Sequence, residues 1–143
     1  MDKAMDKTTP VRNLIRSWAL RDLDLMMAQF SEDAVFENVP MDLIVGKAAI
    51  RAANSAFIDL IEGAPWELRN ITVTEGGTVM TERIDIFDLK EGRRVAIRVM
   101  GAFEVNDQNL ITHWRDYFDL ADWNRQMRMD PDFGRRADSM QID

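Results

Sequence analysis

Cysteine is missing from all 143 residues, which excludes disulfides, thiol nucleophiles and thiolate metal sites. Histidine and tyrosine occur once each, as His113 and Tyr117. One imidazole with scattered carboxylates gives no metal-ligand spacing, so no metal is expected. Basic charge is also scarce: 18 Lys and Arg face 25 Asp and Glu, a formal net charge of −7. Such a surface repels a phosphate backbone, and nucleic acid is not an expected partner. No apolar run approaches the roughly 20 residues that span a bilayer. The opening MDKAMDKTTP lacks an apolar signal region. The expectation is therefore no membrane partner and a cytoplasmic location, with a small neutral molecule left as the ligand.

What is present fits a folded chain. A hydrophobic share of 46% beside 30% charged residues supports a real core, and the length suits one domain spanning residues 1–143. Residues 1–9 and about 125–143 are expected to be flexible or wrapping tails. Thr9 and Pro10 read as a cap and a first-turn proline before Val11, Leu14, Ile15 and Trp18 at helical spacing. Asp22 caps a second helix with Leu23, Met26, Met27 and Phe30 on its apolar side, closed by Ser31-Glu32-Asp33. Residues 35–39 read as a strand halted by Pro40, and residues 47–62 as a helix closed by Gly63.

From Trp66 onward the period changes to two. WELRNITVTE, TVMTERIDIFDL, RRVAIRVMGAFEV and LITHWRDYFDL alternate, separated by Gly76-Gly77, Lys90-Glu91-Gly92 and Asn106 to Asn109. Short turns between consecutive strands imply an antiparallel meander with the helices on one face, an α+β class.

Charged residues on a covered sheet face need an explanation. Thr81, Arg83, Asp85 and Phe87 share one side of their strand, and Thr112, Trp114, Asp116 and Phe118 share an aromatic-rich side of theirs. If Arg83 and Asp85 meet Asp116 in an apolar cavity, the forked guanidinium can hold both carboxylates. Two carboxylates so close do not both ionise cheaply, and a protonated acid beside an ionised base suits acid-base chemistry. On this spacing alone the plainer reading, a buried salt-bridge network that stitches strands, is the favoured one. Leu43, Ile44, Ile61, Met80 and Met100, with Trp114 and Phe118, are candidates for an apolar pocket wall. His113 falls on the side opposite Asp116, as do Arg115 and Tyr117, and Glu37 is placed away from the cavity on its own strand.

FENVP, TERIDIF and HWRDYFDL, in order across residues 11–123, resemble the limonene-1,2-epoxide hydrolase family. The resemblance implies a highly curved, mixed but largely antiparallel sheet packed with N-terminal helices around a cone-shaped cavity, the nuclear-transport-factor-like (NTF2-like) or cystatin-like architecture. It implies a homodimer that hydrolyses a small apolar, cyclic or terpene-type epoxide to a vicinal diol in one step, without metal or covalent intermediate. By the same resemblance Asp85 is the acid, Asp116 the base, Arg83 their bridge, and Asn38 a holder of the attacking water. A family tyrosine that helps hold that water is replaced by Phe36. The fold also hosts ketosteroid-isomerase-like and polyketide-cyclase-like enzymes. Those two classes, and a non-catalytic small-ligand-binding dimer module, are the alternatives.

Overall fold

A computed structural model describes residues 5–39, 41–130 and 133–134. The residues outside these ranges include Pro40 and most of the tail beyond residue 130. Four helices, α1 (Thr8–Leu20), α2 (Leu23–Met27), α3 (Lys47–Ile58) and α4 (Leu120–Met127), accompany seven strands. These are β1 (Phe30–Asn38), β2 (Ile44–Val45), β3 (Ile61–Gly63), β4 (Glu67–Val73), β5 (Val79–Leu89), β6 (Arg94–Val105) and β7 (Ile111–Tyr117).

The sheet order is β2-β1-β7-β6-β5-β3, with β4 also paired to β5. Only β1 and β7 run parallel; every other pairing is antiparallel, so the sheet is mixed and largely antiparallel as expected. Register shifts interrupt β1/β7, β3/β5, β4/β5 and β6/β7. Bulges of this kind bend a strand and increase its twist, which curls the sheet around its inner face. β3 and β4 divide one edge of the long β5, meeting opposite ends of it.

Helical periodicity places Val11, Leu14 and Trp18 of α1 in the core, and Met26 and Met27 of α2 join them. The inner face of the sheet supplies Phe30, Val79, Val95, Phe103 and Ile111, each almost wholly buried. Asp22 caps α2 as expected, accepting the Leu25 backbone N–H at 3.0 Å.

Several boundaries differ from the sequence reading. The residue before α1 is Lys7, which makes no side-chain cap bond; Asp6 accepts the Thr8 backbone N–H at 2.9 Å instead, and Thr9 and Pro10 lie inside the first turn. Phe30 opens β1, and Ser31-Glu32-Asp33 is strand and not a helix-ending turn. α3 stops at Ile58, and Ile61 and Gly63 belong to β3, where Lys90 donates its backbone N–H to the Leu60 carbonyl at 3.0 Å. The two-residue β2 had no signal strong enough to stand out.

Candidate active site

Strand parity on β5 sends Val79, Thr81, Arg83, Asp85 and Phe87 inward and Met80, Glu82 and Ile84 outward. On β7 the inward set is Trp114 and Asp116. β6 lies between these strands and pairs Gly101 with Thr81 on one side and with Asp116 on the other. Arg83 therefore reaches across β6 at the one residue without a side chain.

Its guanidinium meets both carboxylates in forked geometry. Nε and Nη2 donate to Asp85 Oδ1 and Oδ2 at 2.9 and 2.8 Å, while Nη1 and Nη2 donate to Asp116 Oδ1 and Oδ2 at 3.1 and 2.8 Å. Nη1 also donates to Thr81 Oγ1 at 3.1 Å. All five N–H donors of the guanidinium are thus engaged. The Trp66 and Phe103 rings lie 4.9 and 5.9 Å from its central carbon, and the side chain is entirely shielded from solvent. A desolvated cation over aromatic rings gains about 2 kcal/mol from each good contact. The sequence suggested the three charged residues; it did not suggest Thr81 as a partner, Trp66 as a cover, or Gly101 as the gap.

Burial pushes the Asp85 carboxyl up to about 6, against the pull of Arg83's charge and hydrogen bonds and with a further push from Asp116. Burial also works against the Arg83 charge, yet Asp116 and Asp85 together hold its pKa above the ordinary value. Near neutral pH the cluster therefore contains a permanent cation and a carboxyl group poised to keep or give up a proton.

These groups border a cavity of about 350 Å³ that Asn38, Asp85 and Asp116 share with mostly apolar neighbours. Asn38 stands level with Asp116 in the parallel β1/β7 register. Phe36, two residues earlier on the same face, also lines the cavity; its ring stacks on Trp114 with centroids 3.8 Å apart and planes 11° from parallel. Met127, Met129 and Phe133 extend the wall from the C-terminal segment, part of the stretch read as a tail.

Of the candidate pocket residues, Ile44, Trp114 and Phe118 reach the cavity. Leu43, Ile61, Met80 and Met100 are not among its lining residues. Leu43 is exposed, and Ile61 is fully buried in the core. Met80 and Met100 sit on the outer sheet face, 38% and 47% exposed, because they have the opposite parity to Arg83 and Gly101.

His113 and Tyr117 alternate away from Asp116 and do not line the cavity. Glu37 and Arg115 are register neighbours on that outer face, and Arg115 pairs with Glu104 at 2.9 Å. Among the described residues no three His, Asp or Glu side chains are grouped to hold a metal ion, and no helix is long and apolar enough to cross a membrane.

Comparison with known proteins places this geometry in a family. Over 103 residues the chain is 34% identical to the epoxide hydrolase EphG of Mycobacterium tuberculosis (strain ATCC 25618 / H37Rv), covering 71% of this chain and 65% of that protein. The matched region thus spans a little under two thirds of the curated relative. A solved structure of an M. tuberculosis LEH-like epoxide hydrolase superposes with a TM-score of 0.73 at 30% identity, covering 85% of this chain and 89% of the other. A ketosteroid isomerase-like fold from Catenulispora acidiphila DSM 44928 matches with a TM-score of 0.74, over 87% of this chain and 96% of that one, but at 15% identity it shares the fold alone. The family model described as limonene-1,2-epoxide hydrolase catalytic domain matches residues 5–128, the stretch that contains every element of the cavity named above up to Met127, and the chain belongs to that family.

Proposed function

We propose that the protein hydrolyses a small, largely apolar epoxide of cyclic or terpene type to a vicinal diol, using neither metal nor other cofactor. The observation that carries this reading is the pair of carboxylates held by one buried guanidinium at the wall of an apolar cavity, with Asn38 beside Asp116. Asp85, its pKa pushed up to about 6, gives its proton to the epoxide oxygen as the carbon–oxygen bond breaks. A water held by Asn38 and Asp116 attacks the ring carbon, and its proton passes to Asp116. One proton leaves Asp85 and one arrives at Asp116, so the cycle closes when a proton returns between them. Arg83 keeps both carboxylates in place throughout, and positioning supplies much of the rate.

Epoxide opening at low dielectric needs an acid that is protonated at working pH, which is the state that the Asp85 environment favours. His113 and Tyr117, the donors through which an isomerase or cyclase could polarise a carbonyl, are turned out of the cavity. The test is diol formation from a panel of cyclic epoxides, with proton exchange of a ketosteroid measured in parallel. Turnover of several epoxides is expected, with kcat/KM falling tenfold per pH unit above about 6 as Asp85 loses its proton. Ketosteroid exchange without any diol would overturn the reading in favour of an isomerase. No reaction in either assay would favour a binding module.

Phe36 leaves the water with two side-chain partners where the family resemblance supplies a third. Phe36→Tyr is expected to raise diol formation about fivefold, the worth of roughly one hydrogen bond. An unchanged or lower rate in steady-state assays would remove this account of the water site.

Among the described residues, the outer sheet face leaves Met80, Met100 and Tyr117 at 38%, 47% and 48% exposure. A second copy of the chain is the occupant we propose for that face. Light scattering that returns the monomer mass would exclude it.

A further inference from the structure

Among the described residues, and apart from indole nitrogens, four polar side chains line the cavity: Asn38, Asp85 and Asp116 from the strands, and Asn54 from α3. The first three are accounted for by the proposed chemistry. Asn54 is not.

α3 turns Ile50, Asn54 and Ile58 to the interior at four-residue steps. Ile50 is fully buried and Asn54 is 4% exposed. An aliphatic residue is the expected middle member of such a stripe, and an amide there costs its desolvation unless its hydrogen bonds are made. The only side-chain partner of Asn54 among the described residues is the Met26 sulfur, 3.2 Å from Nδ2. A thioether is a weak acceptor. The amide carries a donor group and an acceptor, and its carbonyl end has no hydrogen-bond partner there.

The neighbouring wall is aromatic, and its polar atoms, the Trp18 and Trp66 indole N–H groups, are themselves buried and without a partner among the described residues. Trp18 stacks on Trp66 at 5.2 Å, and Phe57 and Phe87 pack edge-on against Trp18. A substituent with a hydroxyl or carbonyl group would be stripped of water against these rings and left unpaired. At Asn54 it would find both a donor and an acceptor. An anionic substituent is disfavoured, since no Lys or Arg among the described residues lines the cavity to pair with it there.

Resting on the epoxide hydrolase reading, we infer that Asn54 is a specificity-determining residue: a second polar anchor, on the helix wall of the cavity, for a neutral hydroxyl or carbonyl group carried by the epoxide away from its reacting ring. The substrate is then an oxygenated alicyclic epoxide and not a plain hydrocarbon one. The carboxylates act on the epoxide from the strands while Asn54 holds the remote oxygen and fixes which way round the molecule lies.

A matched pair of epoxides tests this: 4-isopropylcyclohexene oxide and its counterpart with a hydroxyl on the isopropyl carbon. Wild-type kcat/KM is expected to favour the hydroxylated member by roughly tenfold, and Asn54→Leu to lower that ratio by ten- to a hundredfold, because the hydroxyl is then buried without a partner. Asn54→Ser, which keeps a smaller hydrogen-bonding group, gives an intermediate ratio and serves if the leucine variant does not fold. Equal turnover of the pair by the wild type, or a preference that survives in Asn54→Leu, overturns the anchor.

Binding of the unreactive pair isopropylcyclohexane and 2-cyclohexylpropan-2-ol, read by fluorescence of the tryptophans that line the cavity, separates the two levels of the reading. If neither epoxide turns over, the hydrolase reading fails. The anchor still stands if the alcohol binds more tightly than the hydrocarbon and Asn54→Leu removes that difference. It falls if the two bind alike.

Discussion

Asp85→Asn is expected to lower kcat for epoxide opening by about a thousandfold or more while the protein stays folded. The amide has nearly the shape of the carboxyl, but its single oxygen can accept from only one of Arg83 Nε and Nη2, and it has no acidic proton to give. Its effect on stability distinguishes a catalytic carboxyl from one that only ties strands together. The Asp85 pKa is raised from the ordinary 3.8 to about 6 in the folded protein. A carboxyl raised in this way contributes stability that is complete below the unfolded value and is lost as pH rises through the folded one. Between about pH 4 and 7 the wild type must ionise a carboxyl that burial disfavours, whereas asparagine stays neutral.

Thermal melts of the two proteins should therefore shift in favour of Asp85→Asn as pH rises over that range, by on the order of 2 kcal/mol. Asp116→Asn should also lose turnover by about a thousandfold, through loss of the base. It also takes one carboxyl partner from a buried cation and should melt earlier than the wild type at neutral pH, since breaking one partner of a buried pair costs about 3 kcal/mol or more. Wild-type turnover in both variants would leave the cluster as a structural tie.

The inward positions of Arg83, Asp85 and Asp116 were legible because period-two alternation holds from Val79 to Asp85 in β5 and from Trp114 to Tyr117 in β7. The same parity excludes Met80, which shares a side with Glu82 and Ile84. Met80 and Met100 were drawn into the pocket by their hydrophobicity, a property that an uncovered sheet face can also show. Phe30 fits the helical spacing of Met26 and Met27, and burial alone does not reveal that it enters the same core from a strand. Ile61 was read into α3 because Gly63 looks like a helix terminator; pairing with the distant Leu89 decides its conformation, and local sequence does not contain that contact.

Asn54 carries a signal in the sequence, an amide at the step between Ile50 and Ile58. Thr81 was placed on the right face but given no role. Trp66 and Gly101 depend on what crosses the sheet from other strands, so nothing near them in sequence marks them.

Gly101 makes the strongest remaining prediction because its importance lies in an absent atom. A Cβ there would stand 2.5 Å from Arg83 Nη1, 2.7 Å from Thr81 Oγ1 and 3.0 Å from Asp116 Oδ1. The end of an arginine usually yields to such a contact at little cost, but this one is held by five hydrogen bonds and lies close to the Trp66 and Phe103 rings. Moving Nη1 away from Gly101 means lengthening its bonds to Thr81 and Asp116 together, and the rigid plane of the guanidinium carries that shift to Asp85.

Gly101→Ala is therefore expected to lower kcat/KM at least a hundredfold, the usual cost of displacing catalytic groups by about 1 Å, and to destabilise the fold by about 1–3 kcal/mol through overpacking. Steady-state kinetics and thermal melts on the same preparation measure both. The pH profile adds a readout that overpacking alone would not move: with Arg83 drawn away, its stabilisation of the Asp85 carboxylate weakens, and the limb near pH 6 should shift upward. A folded Gly101→Ala protein with wild-type turnover and an unshifted limb would show that the guanidinium can relax without disturbing the carboxylates, and would remove Gly101 from the positioning of the site.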